Sequence, residues 1–365
     1  MVCANQPTTG KGNALREGNY PLDGGTAFCY TDTSKASGRQ DVSKVDRNQP
    51  KRAAGESRYT LFEFEAQFPD DAACLDYLMS ERYPDGVFCE RCAKVTKHYR
   101  EKARPSYSCE FCGHRVHPMV GTIFEDSATS LRLWFYAIYL MASTRCGISA
   151  KQMERELGVT YKTAWRMFHQ IRSLLVQGDA PLGGEGEIVE ADEAFIGGLS
   201  KCRNHGKKKG LGGGWTGKQP VHGLVQRKRE GQPAKIAARV LPPEPNRNWR
   251  EQLEESVHVR VLPKSSLFTD SYVAYEKMGQ RGYTHRRVNH ARRIYVDGPV
   301  HTNTIEGFWS LLRRGISGVY HGVSTKHLQS YVDEYVFRYN NRDATGRGMF
   351  EAFLDRAVPK PQKAL

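Results

Sequence analysis

The sequence predicts a mixed α/β catalytic domain preceded by a four-cysteine zinc ribbon and a helical segment of helix-turn-helix type. Three features carry that expectation. Two CxxC units, Cys89/Cys92 and Cys109/Cys112, stand 16 residues apart (93–108), a spacing suited to one four-thiolate zinc site. Residues 131–175 keep a helical apolar period. Residues 187–314 read as short strand-like runs followed by alternating helix and strand, which implies a mixed sheet.

Residues 1–58 are rich in Gly, Ser, Thr, Asn and Asp and poor in aliphatics. They read as disordered or as an extension outside the fold. Periodic apolar content begins at Tyr59, and Phe62, Phe64 and Phe68 precede a short helix over 72–82. The ribbon with its preceding helix is expected to occupy 59–125. Each CxxC makes a tight turn that points two sulfurs inward, and two such turns close a tetrahedron. Short hairpins over 95–100 and 107–108 flank the turns. His98, His114 and His117 lie nearby, but four cysteines complete the shell. No ligand position is left for water, so the zinc is expected to be structural.

The segment 126–180 reads as three helices. Trp134, Ile138 and Met141 mark one face of the first. Ser149 offers an N-cap with Gln152 three residues on, and Gly158 stops the second helix after Leu157. Val159 and Thr160 form a short turn. The third helix carries Ala164, Phe168, Ile171 and Leu175 as its apolar stripe, with Tyr161, Lys162, Arg166, His169 and Arg172 on its other faces. A plain helical hairpin with solvated charges would share this pattern. The short turn and an exposed face without acids favour DNA binding, through Lys162, Arg166 and Arg172.

A catalytic domain is expected over 185–345, with a C-terminal tail over 346–365. Its first strand is EIVEADEAFI, 187–196, holding Asp192 between Glu190 and Glu193. Further strands are expected over 221–225 and 235–241, broken by a Glu230-Gly231 turn. A polar helix near 249–255 precedes strands over 257–262 and 267–269, which lead to Asp270; helix signals resume over 272–278. Between the first two strands, 197–219 combines eight glycines and six Lys or Arg with no acid, the composition of a mobile basic loop. The segment Asn303–Arg314 has the sharpest pattern. Ile305, Phe308, Trp309 and Leu312 follow i, i+3, i+4, i+7, one apolar helix face. Asn303, Glu306, Ser310 and Arg313 gather on the opposite side, so one face would pack on a sheet and the other would present a carboxylate, an amide and a guanidinium.

Asp192, Asp270 and Glu306 are acids from distant segments, the arrangement a protein uses to hold divalent metals against a phosphodiester. Composition agrees with such a substrate. Lys plus Arg outnumber Asp plus Glu 54 to 40, giving a net charge of +14, which favours a polyanion, above all double-stranded DNA. The longest apolar run, 133–142, is far below the roughly 18–20 residues a bilayer span needs, so no membrane role is expected. No apolar segment of signal-peptide type follows Met1. One paired CxxC set and five scattered cysteines (Cys3, Cys29, Cys74, Cys146, Cys202) suggest a reducing compartment with one metal site, not a disulfide framework.

The phrases VEADEAFIGG, LFTDSYVAY, HTNTIEGFWSLLRRGISGVYH and YVDEYVFRYNNR occur in that order across 189–342. With 77 residues (193–269) between the aspartates and 35 (271–305) between Asp270 and Glu306, the chain resembles the DDE transposases of bacterial insertion sequences. The closer resemblance is to the zinc-ribbon, ISXO-like subgroup, over about 61–353. The resemblance implies an RNase H-like catalytic domain in which Asp192 and Asp270 are metal-binding acids. Glu306 is the expected third ligand, with Asn303 one turn away as its alternative, since relatives use either residue type in this helix. Arg313 stands where relatives often carry lysine and would bind a phosphate. Two Mg²⁺ or Mn²⁺ ions are implied, with Zn²⁺ in the ribbon. His290 and His301, with Arg286, Arg287, Arg292 and Arg293, would line the DNA path. The resemblance further implies binding to terminal inverted repeats, strand cleavage and transfer, a homodimer or higher assembly, and a cytoplasmic, nucleoid-associated protein. A non-catalytic DNA-binding regulator derived from a transposase is the alternative, and a nuclease without strand transfer is a third reading.

Overall fold

The computed structural model describes residues 58–176, 178, 180–196, 218–241, 249–289, 292 and 294–359. The expected extension over 1–58, apart from Arg58, and the basic loop, apart from its last two residues, lie outside the described residues. So do His290 and Arg293.

A short helix beyond those expected from the sequence opens the fold. Helix α1, Leu61–Gln67, starts with a capping box: Thr60 Oγ1 accepts from Glu63 N at 3.2 Å while Glu63 Oε2 accepts from Thr60 N at 2.6 Å, satisfying two N-terminal donors reciprocally. Helix α2, Asp71–Arg82, is capped by Asp70, which accepts from Ala73 N at 2.8 Å. The ribbon follows as β1 (Val87–Cys89) paired with β2 (Lys94–Thr96), then β3 (His98–Arg100), β4 (Tyr107–Cys109) and β5 (Arg115–Val116). Helices α3 (Leu131–Ser143), α4 (Ala150–Leu157) and α5 (Tyr161–Ser173) come next. Ser149 caps α4 by accepting from Gln152 N at 3.2 Å. Gly158 ends it in the left-handed region, φ 64°, where a side chain would be strained. Every residue of the expected stripes on α3 and α5 is buried.

A five-stranded mixed sheet follows. After the short β6 (Leu182–Gly183), the long strand β7, Ile188–Ile196, pairs antiparallel with β8 (Gln219–Gln226), which pairs antiparallel with β9 (Lys235–Val240). On its other side β7 pairs parallel with β11, Ser266–Thr269, and β11 parallel with β12, Thr284–Arg287. Between β9 and β11 lie helix α6, Trp249–Arg260, and β10, Val261–Leu262. The expected strand over 257–262 is therefore mostly helix. Alternating Val257, Val259 and Val261 mimic a strand, yet Leu253 and Val257 are buried one turn apart and continue the helical stripe. The helix expected over 272–278 is two 3₁₀ turns, Val273–Tyr275 and Met278–Arg281.

After the hairpin β13 (Val296–Asp297) and β14 (Val300–His301) comes helix α7, Asn303–Arg314, which continues without a break into a π-helical turn, Gly315–Val319. Helix α8, Thr325–Asn340, and helix α9, Gly346–Ala357, end the described chain. Ile305, Phe308, Trp309 and Leu312 of α7 pack with α8 over Ala194, Ile196, Val221 and Val225, one face of the sheet. The opposite face, with Val189, Ala191 and Leu267, packs against Val257 of α6 and Tyr275. The expected C-terminal tail is instead largely α9. Phe350, Phe353, Leu354 and Ala357 make a stripe at i, i+3, i+4, i+7 that is buried in the same core as Phe64, Phe68, Trp134 and Phe135.

Arg172 departs from its expected place on the DNA-facing side of α5. It is 2% exposed, donates from Nε to Glu334 Oε2 at 2.7 Å, and lies 3.9 Å above the Tyr331 ring. Lying one residue after Ile171, it falls on the side of α5 that meets α8, where an unpaired guanidinium would be costly and Glu334 neutralises it. Arg338 completes the node, donating to Glu334 Oε1 and to the carbonyls of Met141 and Thr144 at 2.7 Å each. Glu334→Ala would leave two buried arginines without their carboxylate. A loss of about 3–5 kcal/mol in urea unfolding is expected; a loss below 1 kcal/mol would show that the node contributes little.

Candidate active site

Asp192 lies within β7, directly opposite Gly223 of β8. Thr269, the last residue of β11, pairs with Ala191, so Asp270 follows at the level of Asp192 on the neighbouring strand. Parallel pairing of β11 with the first half of β7 is what brings residues 78 apart in sequence (270 − 192) side by side. Asp270 Oδ1 accepts from Tyr272 N at 2.9 Å, which ties its carboxylate to the turn that follows.

Helix α7 supplies the third group. Glu306 is exposed in its first turn and accepts at Oε1 from Thr302 Oγ1 at 3.1 Å. Asn303, Ser310 and Arg313 are exposed as well. The helix is fixed to the sheet by Trp309, whose indole Nε1 donates to Asp192 Oδ2 at 3.0 Å. Gly223 makes that possible: a Cβ there would stand 2.6 Å from the Trp309 ring and 2.9 Å from Ile305. Burial, then the negative charge of Asp270 and more weakly that of Glu306, push the Asp192 carboxyl up to about 7, against hydrogen bonds from the Glu193 backbone and Trp309. A site that resists ionising for want of positive charge has the donor chemistry a divalent cation would take, in Asp192, Asp270 and Glu306. Their oxygens do not converge to a single ligand shell, however. Among the described residues only the four cysteines bring three or more ligand atoms within 4.8 Å of one another.

Four residues around this site lie outside the catalytic set expected from the sequence. Glu190, two residues before Asp192 and fully buried, accepts from Thr304 N at 2.9 Å, Ile305 N at 3.0 Å, Thr304 Oγ1 at 2.7 Å and Arg227 Nε at 2.6 Å. Strand alternation places it on the Asp192 face, the one signal that could have found it. On the opposite face Tyr275 donates its hydroxyl to Glu193. Burial raises the Glu193 carboxyl to about 8, with the Tyr275 bond opposing it. His222, opposite Glu193 on β8, is buried, pushed down to about 3 by burial, and hydrogen-bonded through Nδ1 to Ser256 Oγ at 2.7 Å.

In the ribbon, Cys89 and Cys112 sulfurs lie 3.4 Å apart and those of Cys92 and Cys109 lie 3.9 Å apart. Tetrahedral zinc with Zn–S bonds of about 2.3 Å requires S···S edges of roughly 3.8 Å, so the four thiols fit that ion. Of the residues expected to meet DNA, Lys162 and Arg166 are exposed on the same side of α5, and Arg292 and Arg313 are exposed as well. Among the described residues no helix is long and apolar enough to cross a membrane.

Comparison with known proteins agrees with this layout. Residues 181–340 match the ISXO2-like transposase domain and residues 69–115 match the transposase zinc-ribbon domain. A protein of Halobacterium salinarum described as an uncharacterised protein in transposable element ISH50 is 28% identical over 305 residues, spanning 80% of this chain and 98% of its own. An uncharacterised transposase-like protein of Haemophilus influenzae is 25% identical over 87 residues, 24% of this chain and 69% of its own. One relative is archaeal, so a bacterial origin does not follow.

Two outcomes test the site. The folded-state proton affinity of Asp192 exceeds its ordinary value, so its share of stability is greatest at low pH. That share falls as pH rises from about 4 toward 7. Zinc-loaded protein free of other divalent cations should therefore lose up to a few kcal/mol across that range, and Asp192→Asn should lose less; identical profiles would refute the assignment. Metal analysis should find one zinc per chain, lost in Cys109→Ser; retention of full zinc would remove Cys109 from the shell.

Proposed function

Because the chain belongs to the ISXO2-like DDE transposases that carry a zinc ribbon, we propose that it binds the terminal inverted repeats of an insertion sequence and cuts and joins DNA strands. The observation that carries this reading is the strand register that levels Asp270 with Asp192 beneath the helix bearing Glu306. Three antiparallel strands extended by two parallel ones, β9-β8-β7-β11-β12, support an RNase H-like catalytic domain.

Asp192, Asp270 and Glu306 would hold Mg²⁺ or Mn²⁺, with Asn303 as the alternative third ligand. Bound there, a pair of such ions would supply activation of an attacking water or DNA 3′-hydroxyl and charge stabilisation for the departing oxygen. The chain's own residues do the positioning. Trp309 holds one oxygen of Asp192 and so orients its carboxylate. Arg313, exposed two turns beyond Glu306, offers a bidentate phosphate contact. The α4–Gly158–α5 arrangement supports a helix-turn-helix in which Lys162 and Arg166, but not the buried Arg172, face the duplex. With the ribbon, it would hold the element end. Transposition joins two ends, so a homodimer or larger assembly is required.

The test uses full-length protein, terminal-repeat DNA and Mg²⁺. Asp192→Asn and Asp270→Asn should each lower cleavage at least 1,000-fold, a loss of about 4 kcal/mol of transition-state stabilisation, while DNA affinity is retained. Glu306→Gln should cost more than Asn303→Ala; the reverse order would make Asn303 the third ligand. Binding without cleavage by the unaltered protein would favour the regulator instead.

A further inference from the structure

Glu190 is a carboxylate that the proposed chemistry does not use, yet both of its oxygens are hydrogen-bonded. It is fully buried. Helix α7 begins without a conventional cap: its N-cap residue, Thr302, makes no capping bond, and its hydroxyl is turned to Glu306. The backbone donors of Thr304 and Ile305 go instead to Glu190 Oε2, at 2.9 and 3.0 Å. The cap thus comes from more than 110 residues away, from the strand that carries Asp192.

Arg227 locks the arrangement from the other side. It gives Nε to Glu190 Oε1 at 2.6 Å, Nη1 to the Pro299 carbonyl at 2.7 Å, and Nη2 to the His301 carbonyl at 2.9 Å and His301 Nδ1 at 2.8 Å. The chain entering α7 is therefore fixed at residues 299, 301, 304 and 305. Each fixed atom is bonded either to Glu190 or to the arginine Glu190 holds. A local Ser or Asp cap would stabilise the helix equally without burying charge. It would not fix the helix to the strand. Glu190 and Asp192 lie on one face of one strand, so the same rigid segment carries a metal-binding acid and sets the start of the helix that bears the other.

We infer that Glu190 is a positioning residue: its carboxylate clamps the N-terminus of α7 so that Glu306 stands in register with Asp192 and Asp270. This rests on the proposed metal-dependent reaction. The positive end of the α7 dipole adds to the clamp's strength. Supporting groups of this kind typically change metal affinity 10–100-fold when removed.

The experiment compares full-length, zinc-loaded wild type, Glu190→Gln, Glu306→Gln and the double variant. Mn²⁺ binding is measured by calorimetry, Thr304 and Ile305 amides by hydrogen exchange, and terminal-repeat DNA by affinity and cleavage. Glu190→Gln should weaken Mn²⁺ binding at least tenfold, speed exchange at both amides, and leave DNA affinity within twofold. In the Glu306→Gln background it should weaken Mn²⁺ no further, because Glu190 acts through Glu306. Thr304→Ala, which removes only the 2.7 Å hydroxyl bond, should weaken Mn²⁺ in the same direction by less, and decides the matter should Glu190→Gln not fold. Unchanged Mn²⁺ affinity, or an equal loss with and without Glu306, overturns the inference. Failure of the wider reading is seen separately, as wild type that binds Mn²⁺ but cuts no DNA.

Discussion

Two arginines closing on one buried glutamate hold this molecule together. Glu334, fully buried on α8, accepts from Arg172 of α5 on one oxygen and from Arg338 on the other. Isolated, each of these charges would cost several kcal/mol to bury. Together they are balanced to one net positive charge, which the Tyr331, Tyr320 and Phe168 rings around Arg172 receive. Arg338 also reaches the carbonyls at the end of α3. The node thus joins the α3–α5 layer to the helix that covers the sheet, where a merely apolar contact would let the layers slide. It spans the boundary between the part proposed to hold DNA and the part proposed to cut it.

From this node helix α7 is reached through continuous backbone. Tyr320, whose hydroxyl lies 3.3–3.4 Å from Glu334, ends the π-helical turn that extends α7. Wide turns of this type inside a helix re-aim side chains and recur at functional sites. At its other end α7 is held by Glu190, and midway by Trp309 on Asp192. Three polar attachments, two to β7 and one to α8, define its position. Dispersion against the sheet supplies the bulk of the adhesion, and the polar attachments supply the alignment.

Much of this was legible in sequence because the relevant signals are local. The bounds of α7, the capped turn at Gly158, the paired CxxC units and strand β7 follow from period, cap and spacing. What stayed hidden depends on partners remote in sequence. Arg172 looks like any basic residue on a polar helix face until Glu334, 162 residues later, arrives to bury it. Glu190 resembles a surface acid because its donors lie on a helix more than 110 residues away. The 253/257 helical stripe of α6 lost to a valine alternation that fits a strand equally well, a contest only packing resolves. Helix α9 carried its stripe openly, but nothing in sequence says that the chain's end returns to a core begun by Phe64 and Phe68.

The fit between Gly223 and Trp309 bears on how such a protein can diversify. The void left by a missing side chain on β8 and the indole that fills it are two halves of one shape, carried 86 positions apart (309 − 223). Neither can change alone. A bulkier residue at 223 evicts the indole, and a smaller one at 309 leaves a hole beside the carboxylate. Drift at this point must therefore pass through paired substitutions, and any pair that abandons the indole also abandons the donor on Asp192. Asp192 thereby imposes on the helix–sheet spacing a constraint that most packing interfaces escape.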